Sequence, residues 1–347
     1  MRNLLLIVVL IRVFLYLNND LIGKSVLVTG RVLREPAIYE KSQRVVIQDF
    51  ESYIPKYPEV EYGDIITIKG SVVKDREIKD PTVVSLRKPE FPLFNLRNKI
   101  IENLLNLLPK QHASIVAGVT LGSQKSISNK FWDDLKRTGT AHIVVASGTN
   151  VTYTSFFFLS LLLLFLKRKR AIYITLCGIW VYVMLSGFDP PLVRAALMGS
   201  LVFVAQIFGR VTDTISVLLL TVLIMLIIKP SWISDVGFAL SFYATTSLIL
   251  FEASIYRLLS KIPLIVRKDF STTLTAQIGV SPILWIVFKQ FNILSPVYNV
   301  LVLWTIPPIM ILGSIAGLIS LFSQNIAKFF ALLLYPFTSW FIFVTSL

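Results

Sequence analysis

The sequence predicts a polytopic α-helical membrane protein with an N-terminal extracytoplasmic small β-barrel (OB-like) domain. Three observations carry this prediction. Hydrophobic residues make up 54% of the 347, mean hydropathy is +0.71, and much of the apolar content lies in blocks approaching the ~20 residues that cross a hydrocarbon core. The connections between those blocks alternate between cation-rich and cation-poor. Ahead of them, short stretches switch to an apolar–polar alternation, the period of a half-buried strand. The net charge of +14 is then either topology signal or a polyanion-binding surface. The single cysteine, Cys177, lies in an apolar run, which leaves no disulfide framework and no cysteine metal site.

The N-terminal run "LLLIVVLIRVFLYL" at 4–17 is short and interrupted by Arg12. No small-residue cleavage site follows, so residues 1–19 read as an uncleaved anchor, with a signal peptide as the alternative. This places residues 18–140 outside. Residues 20–90 read as the β domain. In "SVLVTGRVL", Val26, Val28 and Val32 alternate with Leu27, Thr29 and Arg31; in "DIITIKGSVV", Ile66, Ile68 and Val72 alternate with Thr67, Lys69 and Ser71. Gly30 and Gly70 suggest the bulges or bends that small barrels need, and "QRVVIQDF" supplies a further strand. Barrels of this kind often bind single strands, through stacked aromatics and nearby cations. Tyr39, Arg44, Tyr53 and Lys69 are the candidates; closing the barrel core is the alternative use of its tyrosines.

Residues 91–140 read as external amphipathic helices that lie along the membrane surface or over a cavity mouth. "FNLRNKIIENLLNLLP" has helical spacing, and "SISNKFWDDLKRTG" opens on a serine cap and closes on glycine. Residues 141–347 form the membrane domain. Apolar segments fall near 141–166, 171–187, 191–208, 215–228, 236–252, 271–288, 296–322 and 327–347. The basic connections at 167–170, 209–210 and 257–268 are expected on the cytoplasmic side, and those at 187–191, 229–235 and 289–296 outside.

The stretch "LPKQHASIVAGVTLGSQKSISNKFWDDLKRTGTAHIVVASGTNVTYTSFFF" resembles the start of the competence domain of ComEC proteins, DNA-uptake channels of transformable bacteria. Leu121, Gly122, Gly139, His142, Ala146, Ser147, Gly148 and Val151 carry the match. It continues in order through "GFDPPLVRAALM", "DVGFALSFYATTSLIL" and "FNILSPVYNVLVLWTIPP". The resemblance implies a channel for single-stranded DNA in the cytoplasmic membrane. No energy source is visible in the sequence, so a cytoplasmic helicase or single-strand-binding protein is expected to pull the strand and a surface DNA receptor to deliver it; a homo-oligomer is compatible with this reading. Two departures stand out. Asn150 replaces the second histidine of the family turn. The apolar run ending at Leu347 also points to a short form without the metallo-β-lactamase-like domain that many members carry. With two histidines in the chain, no histidine-rich metal cluster, no cofactor and no enzymatic activity are expected.

At membrane depth, Ser147-Gly148 weakens the helix and frees backbone groups to face a cavity. His142, Ser147, Gly148, Thr149 and Asn150 are the candidate pore lining, joined by Arg194, Asp235 and Ser241 from later helices. Ordinary interhelical hydrogen bonding is the plainer alternative. Arg194 would attract phosphate, or else snorkel or pair with Asp189 or Asp235. Gly313 and Gly317 have the spacing of close helix packing. "GVTLGSQKS" at 118–126 lacks the lysine position of a phosphate-binding loop. Three other classes stay open: a membrane enzyme using His142 and Ser147 on lipid or polymer, a small-solute transporter, and a non-catalytic scaffold.

Overall fold

The computed structural model describes residues 2–18, 21–73, 76–89, 91–145, 147–289 and 292–347. Ala146 of the family turn lies outside the described residues. The chain opens with helix α1 (Arg2–Leu17), followed by six strands: β1 (Ser25–Arg31), β2 (Ala37–Ile38), β3 (Ser42–Ile47), β4 (Phe50–Pro55), β5 (Ile65–Val72) and β6 (Glu77–Arg87). They form one sheet in the order β1-β5-β6-β4-β3-β2, antiparallel except where β4 meets β6. The hydrogen-bonded ladder is open, so barrel closure is not part of the observed sheet. A lone bridge between Val32 and Ile47 stands between the β1 and β3 ends.

The alternation read in the sequence decides which face is buried. Val28, Val32, Val45, Ile47, Ile66 and Ile68 are buried together, while Leu27 and Lys69 face out. Gly70 sits at a register irregularity between β5 and β6. Gly30 pairs in regular register instead, and a Cβ there would lie 2.6 Å from Ile47 Cγ2. Buried Gln43 pins the β4–β5 loop by donating to the carbonyls of Pro55, Lys56 and Pro58 and accepting from the Val60 amide.

Helices α2 (Pro92–Leu107), α3 (Lys110–Leu121) and α4 (Asn129–Thr138) follow. The serine cap is present, with the Ser128 hydroxyl accepting from the Phe131 amide at 3.3 Å, and α4 ends on Gly139 at φ 74°. Helix α3, between the two amphipathic stretches, is buried from Ala113 to Leu121. Glycines make room on both sides: Gly118 of α3 faces the Val144 backbone, while on α13 a Cβ on Gly313 would meet Val116 and Thr120 of α3 and one on Gly317 would meet Ile100 of α2.

The bundle comprises α5 (Ala141–Val144), α6 (Gly148–Leu163), α7 (Arg168–Ser186), α8 (Pro190–Ile207), α9 (Thr214–Ile228), α10 (Val236–Leu258), α11 (Leu264–Ile283), α12 (Ser295–Leu303), α13 (Ile306–Ile319) and α14 (Gln324–Ser346). Among the described residues, five helices are long and apolar enough to cross a membrane, and α12 with α13 makes a sixth candidate bent by 48°. That fits a multi-pass membrane protein. The segment expected at 141–166 is not a continuous span: α5 and α6 are separate helices with a break between them. The segment at 215–228 forms a helix of 15 residues. Helices α10 and α11 pair through small polar residues, with Ser247 Oγ donating to the Thr275 carbonyl at 2.7 Å.

The cation-poor connections share a set of neighbours. The Phe188 amide donates to the Leu33 carbonyl, Asp189 and Asp235 meet Arg34, Lys229 meets Asp49, and Asn292 donates to the Arg137 carbonyl. All three cation-poor connections therefore abut the β domain or α4. On the basic side, Arg168 at the start of α7 donates to Gln206 at the end of α8.

Candidate functional site

The break before α6 is held open by its neighbours. Gly118 of α3 presses against Val144, whose Cγ1 would lie 2.8 Å from a Cβ placed there. His142 Nδ1 lies 3.0 Å from the Gly139 carbonyl. Ser147 is extended (φ −120°, ψ 167°) and leaves the first turn of α6 without a side-chain cap. Its hydroxyl instead meets Thr149 Oγ1 at 2.6 Å and donates to Asn150 Oδ1 at 3.1 Å. Asn150 is buried and donates from Nδ2 to the Val119 carbonyl at 2.9 Å. Asn150 thus ties the turn to α3 by a hydrogen bond. His142 and Thr149 are exposed, whereas Ser147 and Gly148 are half-buried.

Arg194 meets this turn from α8. A Cβ on Gly148 would lie 3.1 Å from Arg194 Nη2 and 3.2 Å from Ala195 Cβ. Arg194 Nη1 donates to the Ser241 carbonyl and to Thr245 Oγ1 on α10, and Nε is buried without a partner. One guanidinium therefore joins the starts of α6, α8 and α10. Among the described residues its partners are neutral, so no carboxylate cancels its charge there. Asp235 is engaged elsewhere: Oδ1 accepts from the Phe238 amide at 2.9 Å as the cap of α10, and Oδ2 accepts from Arg34 at 2.7 Å. Asp189 also goes to Arg34, at 3.3 Å. Of the eight bundle candidates, Gly148, Arg194 and Ser241 meet directly and Ser147, Thr149 and Asn150 adjoin them in the turn. His142 points to Gly139, and Asp235 to the β domain.

Sequence reasoning missed the junction that seats the β domain. Arg97, 1% exposed, donates from Nε to the Leu185 carbonyl at 2.6 Å and from Nη2 to Glu35 at 2.6 Å and the Leu121 carbonyl at 3.2 Å. Its guanidinium lies 4.4 Å from the Tyr62 ring centre. Tyr62 donates to the Met184 carbonyl at 2.8 Å, and burial pushes its phenol well above the usual range. Glu35 also accepts from Ser123 at 2.9 Å. The signal was present in α2, where Phe94, Arg97, Ile101 and Leu104 share the buried stripe. A cation at such a position needs a buried partner.

Away from the turn, a cleft of about 610 Å³ opens between the β domain and the α2–α4 region. Tyr39, Arg44, Lys56 and Trp132 are among its walls. The Tyr39 and Tyr53 rings are 6.2 Å apart, and both are more than two-fifths exposed. Arg44 lies opposite Tyr53 in the ladder and pairs with Glu51 at 2.6 Å. Lys69, on β5 opposite Leu27 and Thr82, is not in this cluster. At the cleft rim, burial raises the Glu61 carboxyl, but hydrogen bonds from Lys125 and Lys88 outweigh it and hold the group below the ordinary range.

Residues 119–347 match the family model described as Competence protein. The chain is also similar to ComE operon protein 3 of Bacillus subtilis (strain 168), with 28% identity over 233 residues, which is 67% of this chain and 30% of that protein. The chain thus spans less than a third of that relative. No solved structure matches it. The sequence pieces that carried the resemblance converge in space: the α6 turn, the start of α8 and the start of α10 meet at Arg194, and Gly139 lies against Ser295 of α12. With the match running from within α3 to the end of α14, over well over half of its length, the chain belongs to the Competence protein family.

Proposed function

We propose that the chain forms a multi-pass channel in the cytoplasmic membrane that passes single-stranded DNA inward during natural transformation. Residues 18–140 are extracytoplasmic in this reading, and the β domain is an OB-like module that receives the strand. The observation that carries it is the uncancelled guanidinium of Arg194 beside the interrupted helix at Gly148. A polyanion crossing a low-dielectric layer needs cations, hydroxyls or water along its path. The strand order fits an OB-like fold, since the Val32–Ile47 bridge stands where β1 and β3 would close it. The hydrolase alternative draws little support, because His142 Nδ1 faces Gly139 and Ser147 bonds to Thr149 and Asn150. We assign the pull on the strand to a cytoplasmic helicase or single-strand-binding protein, and delivery to a surface receptor.

Deleting the gene from a transformable host tests the reading. Surface-bound DNA should stay at the parental level while nuclease-protected internal DNA disappears. Normal internalisation in the deletion strain would refute a channel, and loss of surface binding would favour a receptor or scaffold.

The outer cleft carries a second expectation. The full chain should bind a single-stranded oligonucleotide with strong salt dependence. Substituting Tyr39 and Tyr53 together by alanine should weaken binding by roughly tenfold or more, since each stacked base contributes ~1–3 kcal/mol. Lys69→Ala should have a smaller effect, as Lys69 lies apart from the cluster. Fluorescence anisotropy at two salt concentrations reads both, and a Tyr39/Tyr53 variant that binds like the parent would leave the cleft without this role.

A further inference from the structure

The face opposite the β domain is charged in a different way. Among the described residues, every ion pair uses a cation of the β domain, of α2–α4 and the loops between them, or Lys229 beside Asp49. The basic run 167–170, Arg210 and the cations of the 257–268 turn form none. Two of them are nonetheless positioned. Arg168 is held by Gln206 at 3.3 Å. Arg267 stacks 4.1 Å from the Tyr256 ring centre and donates to the Tyr256 carbonyl from Nε and Nη2. Large apolar side chains stand among these cations: Phe165 is 78% exposed, Leu258 81% and Val211 100%.

We propose that this face binds the phosphate-bearing headgroups of anionic lipids. The inference rests on the membrane-spanning reading above. Unpaired cations satisfy headgroup phosphates, and the protruding phenylalanine, leucine and valine enter the acyl region beside them. A nucleic-acid strand would use the same cations but give those apolar side chains nothing to enter, so the mixture favours lipid.

Native mass spectrometry of the full chain released from nanodiscs of mixed phosphatidylcholine and phosphatidylglycerol provides the test. Phosphatidylglycerol should be retained well beyond its share of the mixture. In a Lys169→Gln, Arg170→Gln, Lys261→Gln, Lys268→Gln variant that enrichment should fall, by roughly fivefold per cation removed at most. A single-stranded oligonucleotide should not displace the bound lipid. Equal retention of both lipids by the parent, an unchanged variant, or displacement by the oligonucleotide would each overturn the proposal and leave the spanning reading intact. A chain that entered no bilayer of either composition would sink the spanning reading as well.

Discussion

Arg194→Glu and Gly148→Leu should each cut nuclease-protected internal DNA by about two orders of magnitude, with surface-bound DNA and membrane level unchanged. The guanidinium of Arg194 has two acceptors on α10 and, among the described residues, no carboxylate partner. A glutamate there faces the Ser241 carbonyl with the wrong sign and repels an approaching phosphate. A misplaced charge at membrane depth costs ~3 kcal/mol, which is about a hundredfold in rate. Gly148→Leu acts from the other side of the contact. Its Cβ alone would lie 3.1 Å from Arg194 Nη2 and 3.2 Å from Ala195 Cβ, so the remaining carbons must push α6 from α8 or dislodge the arginine. Gly148→Ala, which meets only the movable arginine tip and one methyl, should retain much of the activity. Uptake assays that score bound and protected DNA separately decide this. Two leucine and glutamate variants that import DNA like the parent would mean that the turn only packs and that the strand takes another path.

Arg97→Met should destabilise the seating of the β domain by ~3–5 kcal/mol, the cost of removing one partner of a buried ion pair. Arg97 loses its bonds to Glu35, Leu185 and Leu121 together, and Glu35 remains as a carboxylate held only by Ser123. The expected result is faster proteolysis between β6 and α2 and a lower thermal midpoint for the full chain. Adding Glu35→Gln should restore part of the loss, because the stranded charge rather than lost packing dominates the cost. An Arg97→Met protein as resistant as the parent would show that Arg34 and Tyr62 suffice to seat the domain.

The two variants mark what could be read along the chain and what could not. Apolar blocks, strand alternation, the Ser128 cap, the interruption at Ser147-Gly148 and the close packing at Gly313 and Gly317 were all legible. Each depends on residues within a turn or two of one another, and spacing along the chain encodes them directly. The position of α3 was not legible. Its alanines, glycine, serine and threonine read as modest hydropathy, whereas in the bundle its glycine admits another backbone, as Gly118 does for Val144.

Ionic partners were illegible for a related reason. Asp189, at the start of Arg194's own helix, and Asp235, at the start of α10, invite pairing with Arg194, yet both meet Arg34, 201 residues before Asp235. Arg97 finds Glu35 in the same way, 62 residues away. By itself the sequence determined which segments are apolar, which alternate and where the helices break, because those follow from local chemistry. Only the tertiary structure decided which charge cancels which, since Coulomb attraction and desolvation depend on distance through space and on what surrounds the pair. By using Arg34 for the two aspartates, the fold leaves Arg194 charged at the turn.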